Sequence, residues 1–376
     1  MSSLADQRRR QRERIDGAVS AWMNEPGWEF DESRFDRLAR ELFSHQFESC
    51  GAYARFCRSR GAEPKSIRSW KEIPAVPTGA FKEMRIASFP EANEIKTFRT
   101  SGTSTQRRGE LHLDTLELYE TSLLASLSRF VFPDLRPSER MTLRILAPSA
   151  SEAPDSSLSH MFSKALEIFG STDSGYDVVD GTLQTDALCR FLERAQAGRR
   201  PVALCGTAFA FVHLLDELEQ NKRSNFQLPA GSRVMETGGY KGRSRELARD
   251  TLHSLLARRL GVAASNVVNQ YGMTELGSQF YDSSLRQPAQ TRRKLGPPWT
   301  RLRLVDPETG SEAKDDASGM VVLHDLANTG SIAAIQTADI GRRSEDGFEI
   351  LGREPDAEER GCSIAADVML GERAPK

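Results

Sequence analysis

The stretch VALCGT, residues 202 to 207, is an apolar run that ends in a glycine and a hydroxyl residue, and a predicted helix follows it from Ala208. Such a run, bounded by turn and cap residues, is typical of a strand buried on both faces of a parallel sheet. The succession returns farther along the chain, where a helix predicted from about Ser244 to Leu260 precedes the short strand NVVNQ, residues 266 to 270. Strand, crossover helix and strand in this order favour an α/β fold with parallel pairing.

Segments on either side continue this alternation of elements. Residues 33 to 60 are predicted to form an amphipathic helix, with Phe35 and Leu42 among the apolar positions at helical spacing. TLRILAP, residues 142 to 148, is predicted to be a further strand. From about residue 300 the pattern changes to short alternating strands, RLRLVD, GMVVLHDL and FEILGRE, which turns such as PETG divide. The chain is therefore expected to close with a smaller β-rich subdomain.

The composition excludes several classes of protein. With 38% hydrophobic and 28% charged residues among 376, a large hydrophobic core with lobes can form. The 51 basic and 53 acidic residues leave a formal charge of -2, which offers no electrostatic footprint for a nucleic acid partner. The basic run RRRQRER, residues 8 to 14, is interpreted as a solvated helix face or a frayed tail. Without a secretory signal or a run of 18 apolar residues, we expect a cytoplasmic protein with no integral membrane segment.

The cysteines and histidines show no pattern of a disulfide framework or a zinc site. No C-x-x-C pair and no H-E-x-x-H motif occurs, so we expect reduced thiols and no bound zinc. The five cysteines are Cys50, Cys57, Cys189, Cys205 and Cys362.

A hydroxyl-rich loop lies in FRTSGTSTQRRGELHLD, residues 98 to 114, which carries five Ser or Thr side chains and two glycines. Backbone N–H groups in a glycine-containing turn bind anions, and hydroxyls add further donors. Asp114 with Glu117 forms a capping-box-like helix start, which places the loop between a predicted strand and a helix. Neither the Walker A pattern nor G-x-G-x-x-G is present. From these residues alone, the loop is either a phosphate site or an ordinary turn.

A second candidate stretch is NQYGMTELG, residues 269 to 277, which follows a predicted strand. Tyr271 can pack against a purine and Thr274 can donate to a phosphate. Glu275 can bind Mg²⁺ through oxygen, which a hard cation prefers. The plain structural alternative is that Glu275 is an acidic residue at a helix N-terminus.

A third candidate stretch is TADIGRR, residues 337 to 343. The two carboxylate oxygens of Asp339 suit the adjacent hydroxyls of a ribose, and the guanidinium groups of Arg342, Arg343 and Arg353 suit phosphate. The alternatives are a turn residue at Asp339 and a surface charge at Arg353.

Taken in order, these stretches resemble motifs of the adenylate-forming superfamily of acyl and aryl ligases. TSGTSTQRRG is similar to its phosphate loop, ETGGYKG to its adenine-pocket segment, YGMTE to its tyrosine-to-glutamate motif, and TADIG with LGRE to its ribose aspartate and hinge. Further stretches, ELFSHQFESCGAYARFCRSRG, WKEIPAVPTGAFKE and RGCSIAAD, resemble the acyl-protein synthetase branch, whose best-known members serve the fatty acid reductase of bacterial luminescence. The resemblance covers residues from about 30 to 370.

The resemblance implies ATP and Mg²⁺ as cofactors and a carboxylic acid, with a fatty acid favoured, as substrate. It implies formation of acyl-AMP and pyrophosphate, a step carried by positioning and by neutralisation of phosphate charge. The implied site residues are Thr100, Ser101, Gly102, Thr103 and Ser104 at the β- and γ-phosphates, Gly238, Gly239 and Tyr271 at the adenine, Gly272 at the nucleotide, Thr274 at the α-phosphate, Glu275 at the metal, Asp339 at the ribose, and Arg353 close to the ribose or a phosphate.

The expected organisation is that of an adenylate-forming large domain with layered α/β lobes. The expected parts are a helical N-terminal extension (residues 1–30), an α/β adenylation core (31–298), a β-rich subdomain (299–352) and a C-terminal tail (353–376). We expect the full C-terminal swinging domain to be absent, because the chain ends about 23 residues after Arg353. Where the superfamily loop has a lysine, this chain has Gln106, Arg107 and Arg108, so the two arginines are candidates for phosphate binding.

Cys362 is the candidate acyl carrier. In the acyl-protein synthetase branch, a cysteine near the C-terminus receives the acyl group as a thioester and passes it to a partner reductase or another acceptor protein. A thiolate is required, and Arg360 favours it while Glu358 and Glu359 oppose it. Three alternatives stay open, namely a small buried hydrophobic role for Cys362, an acyl- or aryl-CoA ligase, and a nucleotide-binding scaffold without catalysis.

Overall fold

A computed structural model describes residues 4–101, 107–238, 247–306, 310–314, 316–353 and 368–369. In these ranges the helices are α1 (Leu4–Met23), α2 (Glu32–Ser49), α3 (Gly51–Ser59), α4 (Ala80–Glu83), α5 (Glu117–Phe130), α6 (Ser157–Phe169), α7 (Thr185–Ala197), α8 (Ala208–Gln220) and α9 (Arg249–Leu260). The strands are β1 (Val76–Pro77), β2 (Lys96–Arg99), β3 (Glu110–Leu113), β4 (Thr142–Leu146), β5 (Gly175–Tyr176), β6 (Val178–Val179), β7 (Thr182–Leu183), β8 (Val202–Thr207), β9 (Arg233–Thr237), β10 (Val267–Tyr271), β11 (Phe280–Asp282), β12 (Lys294–Leu295), β13 (Thr300–Val305), β14 (Ser318–Asp325), β15 (Ala334–Ser344) and β16 (Gly347–Arg353). Among the described residues, no helix has both the length and the apolar character needed to cross a bilayer.

The chain forms two compact units. The first comprises Met1–Ala125, Met273–Gln279 and Gly296–Lys376, and the second comprises Ser126–Gly272 and Phe280–Leu295. The motif YGMTE is therefore shared, with its tyrosine and glycine in the second unit and its threonine and glutamate in the first. The four-part division expected from the sequence stays a prediction.

The second unit contains the parallel sheet that the opening stretch predicts. Its strands follow the order β12-β11-β10-β9-β8-β4-β5, and β10, β9, β8, β4 and β5 pair in parallel. Gly206 is required for close packing, since a Cβ there would lie 2.7 Å from the Cβ of Leu146. Thr207 ends β8 and accepts a hydrogen bond at 3.1 Å from the N–H of Ala210, which caps α8. Glycine and threonine thus account locally for the change from strand to helix.

Helices α7, α8 and α9 cover this sheet with apolar side chains. Leu188, Phe211, Leu214 and Leu256 are fully buried and belong to one cluster with strand residues such as Val234. This packing confirms the helix predicted from Ala208 and the strands predicted at 142 to 148, 202 to 207 and 266 to 270. The helix predicted from about Ser244 begins at Arg249, and residues 244–246 lie outside the described ranges.

The first unit contains the antiparallel strands predicted for the end of the chain. Strands β13, β14, β15 and β16 pair in sequence as a meander, and the short β1 pairs in parallel with β15. Val321, Leu323 and Ile335 are fully buried, and β14 is buried on both faces from Gly319 to Asp325. The α/β fold class is therefore confirmed, with a parallel sheet in one unit and this meander in the other.

Three local predictions for the first unit are wrong. Residues 33 to 60 form two helices, α2 and α3, because the extended backbone of Cys50, with φ -111° and ψ 99°, interrupts the helix. The hydroxyl-rich loop joins two strands, since β2 and β3 form an antiparallel hairpin before α5 begins. Asp114 does not form the expected capping box, because its carboxylate binds the Arg12 guanidinium at 2.6 and 2.8 Å.

The basic run near the N-terminus belongs to a packed helix. Residues 8 to 14 lie in α1, which packs against α2. Arg12 is 8% exposed and pairs with Asp16 as well as Asp114. The interpretation of this run as a solvated face or frayed tail is therefore wrong for Arg12, whose charge is compensated within the core.

Candidate active site

The base of the hydroxyl-rich loop is closed by a pair of hydrogen bonds between Thr100 and Gly109. The N–H of Thr100 donates to the carbonyl of Gly109 at 2.9 Å, and the N–H of Gly109 donates to the Thr100 hydroxyl at 2.8 Å. The guanidinium of Arg108 donates to the Thr100 carbonyl at 2.6 Å. The two ends of the loop are thus held together at the tip of the β2–β3 hairpin.

Glu275 lies directly against this base. A Cβ on Gly109 would lie 3.3 Å from Oε1 of Glu275 and 3.2 Å from Cγ2 of Thr100. Glycine at position 109 therefore lets the carboxylate approach the hairpin closely. Glu275 is 4% exposed and Thr274 is 9% exposed. The loop base and the candidate metal ligand, far apart in sequence, are neighbours in the first unit.

Most of the remaining loop residues lie outside the part of the chain that the structure describes. Gly102, Thr103 and Ser104 lie outside the described residues, as does Gln106. Ser101 is exposed at the start of the loop.

Arg107 is exposed at the far end of the loop. It forms an ion pair with Glu83 at 3.2 Å. Arg108 instead binds the loop backbone, so the two arginines that stand near the expected lysine have different partners.

Asp339 and Arg353 lie side by side on neighbouring strands. The register of β15 and β16 pairs them directly, next to an irregularity between Ile340 and Gly341. Two residues that the resemblance implied separately, Asp339 and Arg353, thus form one cross-strand pair. The alternative of a turn residue at Asp339 is wrong, because Asp339 lies within β15.

The two arginines that follow on β15 form ion pairs with other residues. Arg342 binds Glu349 at 2.9 Å and Arg343 binds Glu312 at 3.3 Å. These ion pairs give both guanidinium groups a structural role on the meander.

The predicted adenine residues of the second unit follow two adjacent parallel strands. Gln270 on β10 pairs with Thr237 on β9, so Tyr271 and Gly238 come next at the same edge of the sheet. Gly238 has φ +81°, in the left-handed region that favours glycine. The ring of Tyr271 lies 6.2 Å from that of Phe280. Gly272 follows Tyr271 and is half-buried, and Gly239 lies outside the described residues.

Buried polar contacts support this edge of the sheet. The carboxylate of Glu236 accepts a hydrogen bond from the Asn269 amide at 2.6 Å and lies 2.9 Å from Nε2 of His253. Glu236 is 2% exposed. The strand ends that carry Gly238 and Tyr271 are therefore held by side chains as well as by the ladder of backbone hydrogen bonds.

The described cysteines are unsuited to acyl transfer. Cys50, Cys57, Cys189 and Cys205 are buried free thiols. Burial raises the pKa of Cys57 to about 12 and the pKa of Cys205 to about 12. A thiol that stays protonated near neutral pH is a poor nucleophile. Cys362 lies outside the described residues.

Two residues of this region were missed by the sequence analysis. Gly109 makes room for Glu275, and the Asn328 side chain donates to the Glu275 carbonyl at 2.7 Å. A glycine after two arginines in the loop is a signal that could have pointed to Gly109. Asn328 carries no such signal, because its partner lies 53 residues away.

Comparison with known proteins identifies the family to which the chain belongs. A family model described as acyl-protein synthetase, LuxE, matches residues 26–370. A long-chain-fatty-acid–luciferin-component ligase of Aliivibrio fischeri is 24% identical in an alignment of 356 residues that covers 90% of this chain and 89% of that protein. The ligase of the same name from Vibrio harveyi is 21% identical over 350 residues, with 90% and 89% covered.

Solved structures with a similar fold are adenylate-forming ligases. An open conformation of 2-hydroxyisobutyryl-CoA ligase in complex with 2-HIB-AMP and CoA has a TM-score of 0.62 at 14% identity, covering 88% of this chain and 78% of that one. The same ligase in a postadenylation state with R3-HIB-AMP has a TM-score of 0.63 at 15% identity, with 88% and 70% covered. At this identity the likeness shows the large-domain fold alone. With the family match over most of its length, the chain belongs to the acyl-protein synthetase family LuxE and is an ATP-dependent ligase.

Proposed function

We propose that the protein activates a long-chain fatty acid and then carries it on its own cysteine. A carboxylate oxygen of the acid attacks the α-phosphorus of ATP, the bond between the α-phosphorus and the bridging oxygen breaks, and pyrophosphate leaves. The Cys362 thiolate then attacks the acyl carbon of acyl-AMP, the bond to the AMP oxygen breaks, and AMP leaves. The thiol proton passes to solvent. The thioester is delivered to an acceptor protein such as an acyl reductase.

The observation that carries the first step is the contact between the loop base and Glu275. Two hydrogen bonds join Thr100 and Gly109 at the base of the loop, and the sequence between them supplies Ser, Thr and Gly, residue types that suit phosphate oxygens. The carboxylate of Glu275 lies at the edge of this loop base. An anion site beside a carboxylate fits a nucleotide that arrives with a divalent cation, because the cation lets both negative groups share one place.

We propose Glu275 as the protein ligand of Mg²⁺. When bound, Mg²⁺ would neutralise phosphate charge and orient the leaving pyrophosphate. The buried position of Glu275 fits a ligand that must be held still, and Gly109 leaves space in front of it. Asp339 and Arg353 would hold the ribose, since their cross-strand pairing presents a carboxylate and a guanidinium together. Gly238, Gly239, Tyr271 and Gly272 would line the adenine.

Two observations support the second step: the described thiols are buried, and one described contact lies near the end of the chain. The four described cysteines are buried. Met369 is fully buried, and its carbonyl accepts a hydrogen bond at 2.7 Å from the Arg55 guanidinium. Cys362 precedes Met369 by seven residues, so even a fully extended chain keeps it within about 25 Å of this contact. The proposed carrier is therefore tied to the unit that holds Glu275 and Asp339.

The test follows the label from acid to protein. Wild-type protein with ATP, Mg²⁺ and a radiolabelled fatty acid is expected to exchange pyrophosphate and to retain label through a hydroxylamine-sensitive bond. Cys362→Ala is expected to keep the exchange and lose the label, whereas the matched control Cys189→Ala keeps both. Intact-protein mass over a library of acids would report the preferred chain length.

Three outcomes would overturn the proposal. Label retained by Cys362→Ala would remove the carrier role and leave adenylation in place. Turnover with CoA and no label on the protein would identify an acyl-CoA ligase. ATP binding without exchange over the whole library would identify a nucleotide-binding scaffold.

A further inference from the structure

The connection between β14 and β15 is unusual because it is buried along its whole length. Residues 326–333 are all buried, although connecting segments normally run over the surface, where water satisfies their backbone groups. Here side chains of the first unit replace that water. Gln46 donates to the Asn328 carbonyl at 2.8 Å and accepts from the Ala333 N–H at 3.1 Å. Ser331 donates to the Ile86 carbonyl at 3.0 Å.

The connection and the last residue of β14 together hold the segment that carries Glu275 at both ends. At one end, the side-chain amide of Asn328 donates to the carbonyl of Glu275 at 2.7 Å. At the other end, Asp325 accepts hydrogen bonds from the N–H and the hydroxyl of Ser278, each at 2.7 Å. The segment from Glu275 to Ser278 is thus fixed at its first and last residues by side-chain hydrogen bonds.

The space between segment and connection leaves no room for adjustment. A Cβ on Gly277 would lie 2.8 Å from the Cβ of Ala327 and 3.0 Å from Oδ1 of Asn328. Real Cβ atoms do not make contacts as short as 2.8 Å, so only glycine permits this approach. The backbone of the segment is therefore confined by shape as well as by hydrogen bonds.

We propose that Asn328 is the positioning residue for the Glu275 carboxylate and thereby sets the affinity of the protein for a nucleotide with its divalent cation. This inference rests on the proposed metal role of Glu275. Mg²⁺ demands near-ideal octahedral geometry, so a small rotation of a ligand's backbone weakens binding. Outer partners that orient metal ligands typically contribute 10- to 100-fold in metal affinity. Asn328 is placed to act in this way, since it fixes the peptide carbonyl of Glu275 itself.

The experiment measures nucleotide binding in the absence of any acid, so that no turnover occurs. Calorimetry gives the ATP dissociation constant as a function of Mg²⁺ for wild type, Asn328→Ala, the matched control Ser331→Ala and the reference variant Glu275→Gln. Ser331 lies in the same connection and its hydroxyl binds Ile86, away from the segment. Thermal unfolding of each variant is recorded in parallel. If Asn328→Ala does not fold, Asn328→Ser replaces it, because its shorter side chain cannot reach the Glu275 carbonyl.

The expected result is a 10- to 100-fold weaker Mg²⁺-dependent ATP affinity in Asn328→Ala, with Mg²⁺-free affinity unchanged and Ser331→Ala within twofold of wild type. An unchanged Mg²⁺ dependence in Asn328→Ala, or an equal shift in Ser331→Ala, would overturn the positioning role alone. An unchanged dependence in Glu275→Gln would overturn the metal role of Glu275 and this inference with it.

Discussion

The two compact units differ in how many of their buried titratable groups lie in ion pairs. In the second unit, buried charges are paired with charges of opposite sign. The first unit also pairs the buried Arg12 with Asp16 and Asp114. His45, His324 and Asp325, however, are buried there without an ion pair among the described residues, and burial disfavours their charged forms. The candidate phosphate, metal and ribose residues belong largely to the first unit, so the unit expected to do the chemistry is also the one whose stability should respond to pH.

The charge cluster of the second unit centres on Asp282. Its carboxylate binds Lys294 at 2.8 Å and Arg292 at 2.8 Å, and both Asp282 and Lys294 are 1% exposed. Burial by itself raises the pKa of Asp282, but the two cations outweigh it and lower the pKa to about 2. Such a group stays charged throughout the physiological range.

The first unit buries two neutral histidines instead. Burial lowers the pKa of His45 to about 4 and that of His324 to about 3. Among the described residues, neither ring nitrogen of His45 has a hydrogen-bond partner, and Nε2 of His324 has none. His324 packs edge-on against Trp70, with ring centroids 4.8 Å apart. Its neighbour Asp325 is buried as well, and burial raises its pKa to about 6.

This comparison distinguishes two kinds of buried titratable group in the chain: charged groups in ion pairs, and groups whose charged form burial disfavours. In the second unit the ion pairs tie strands β10, β11 and β12 together through charges that pH does not remove. In the first unit the groups whose charged form burial disfavours lie on α2, which carries His45, and on β14, which carries His324 and Asp325.

The largest expected effect is loss of a partner in the second unit. Asp282→Ala leaves the buried Lys294 without its counter-charge, and the free energy of unfolding should fall by about 3–5 kcal/mol, measured by urea unfolding. The double variant Asp282→Leu with Lys294→Met should recover most of this loss, because it removes both charges. Equal instability of single and double variants would show that packing, and not charge pairing, makes this cluster important.

The next effect is a pair of opposite pH slopes in the first unit. His324 has a native pKa of about 3, below its unfolded value of 6.5, so stability rises with pH across this window by about 1.4 kcal/mol per unit. Asp325 has a native pKa of about 6, above its unfolded value of 3.8, so stability falls with pH across that window at a similar rate. His45, with a native pKa of about 4, adds a second rising slope above pH 4, so between about pH 4 and 6 the slope of Asp325 offsets only one of the two histidine slopes.

Single variants should expose each slope. Asp325→Asn leaves His324, and unfolding free energy should then rise with pH between 4 and 6. His324→Gln leaves His45 and Asp325, whose opposite slopes offset each other, so the unfolding free energy should change little with pH over the same range. The measurement is urea unfolding at half-unit pH steps, and parallel pH profiles of the two variants would contradict this account.

The smallest effect on stability is expected at the surface of the hairpin. Arg107 and Arg99 both form exposed ion pairs, with Glu83 at 3.2 Å and Glu110 at 2.8 Å. Replacing either by Ala should change the free energy of unfolding by less than about 0.5 kcal/mol. Arg107→Ala should in addition weaken ATP binding roughly 3- to 10-fold, since it removes a cation at the end of the hydroxyl-rich loop, the candidate phosphate site. A matching loss in Arg99→Ala would assign the effect to general surface charge.

Much of the parallel sheet and of the family assignment could be predicted from the sequence. The strand at 202 to 207 begins and ends where its apolar run does, because burial of both faces leaves a continuous local signature. The ordered motifs around Thr100, Glu275 and Asp339 led to the family that the comparison confirms. Both kinds of information are local: each can be recognised within a few residues of chain.

The tertiary structure alone decided which of these pieces meet. Strand β3 was hidden, since four residues before a helix carry too short an alternation to distinguish from the helical pattern. The approach of Gly109 to Glu275, the cross-strand pairing of Asp339 with Arg353, and the bond from Asn328 to Glu275 join positions distant in sequence. The sequence by itself determined the residue types, the periodicity and the cap at Thr207. The partners depended on the packed chain, because a hydrogen bond or a close contact is specified by two positions at once and leaves no pattern at either one.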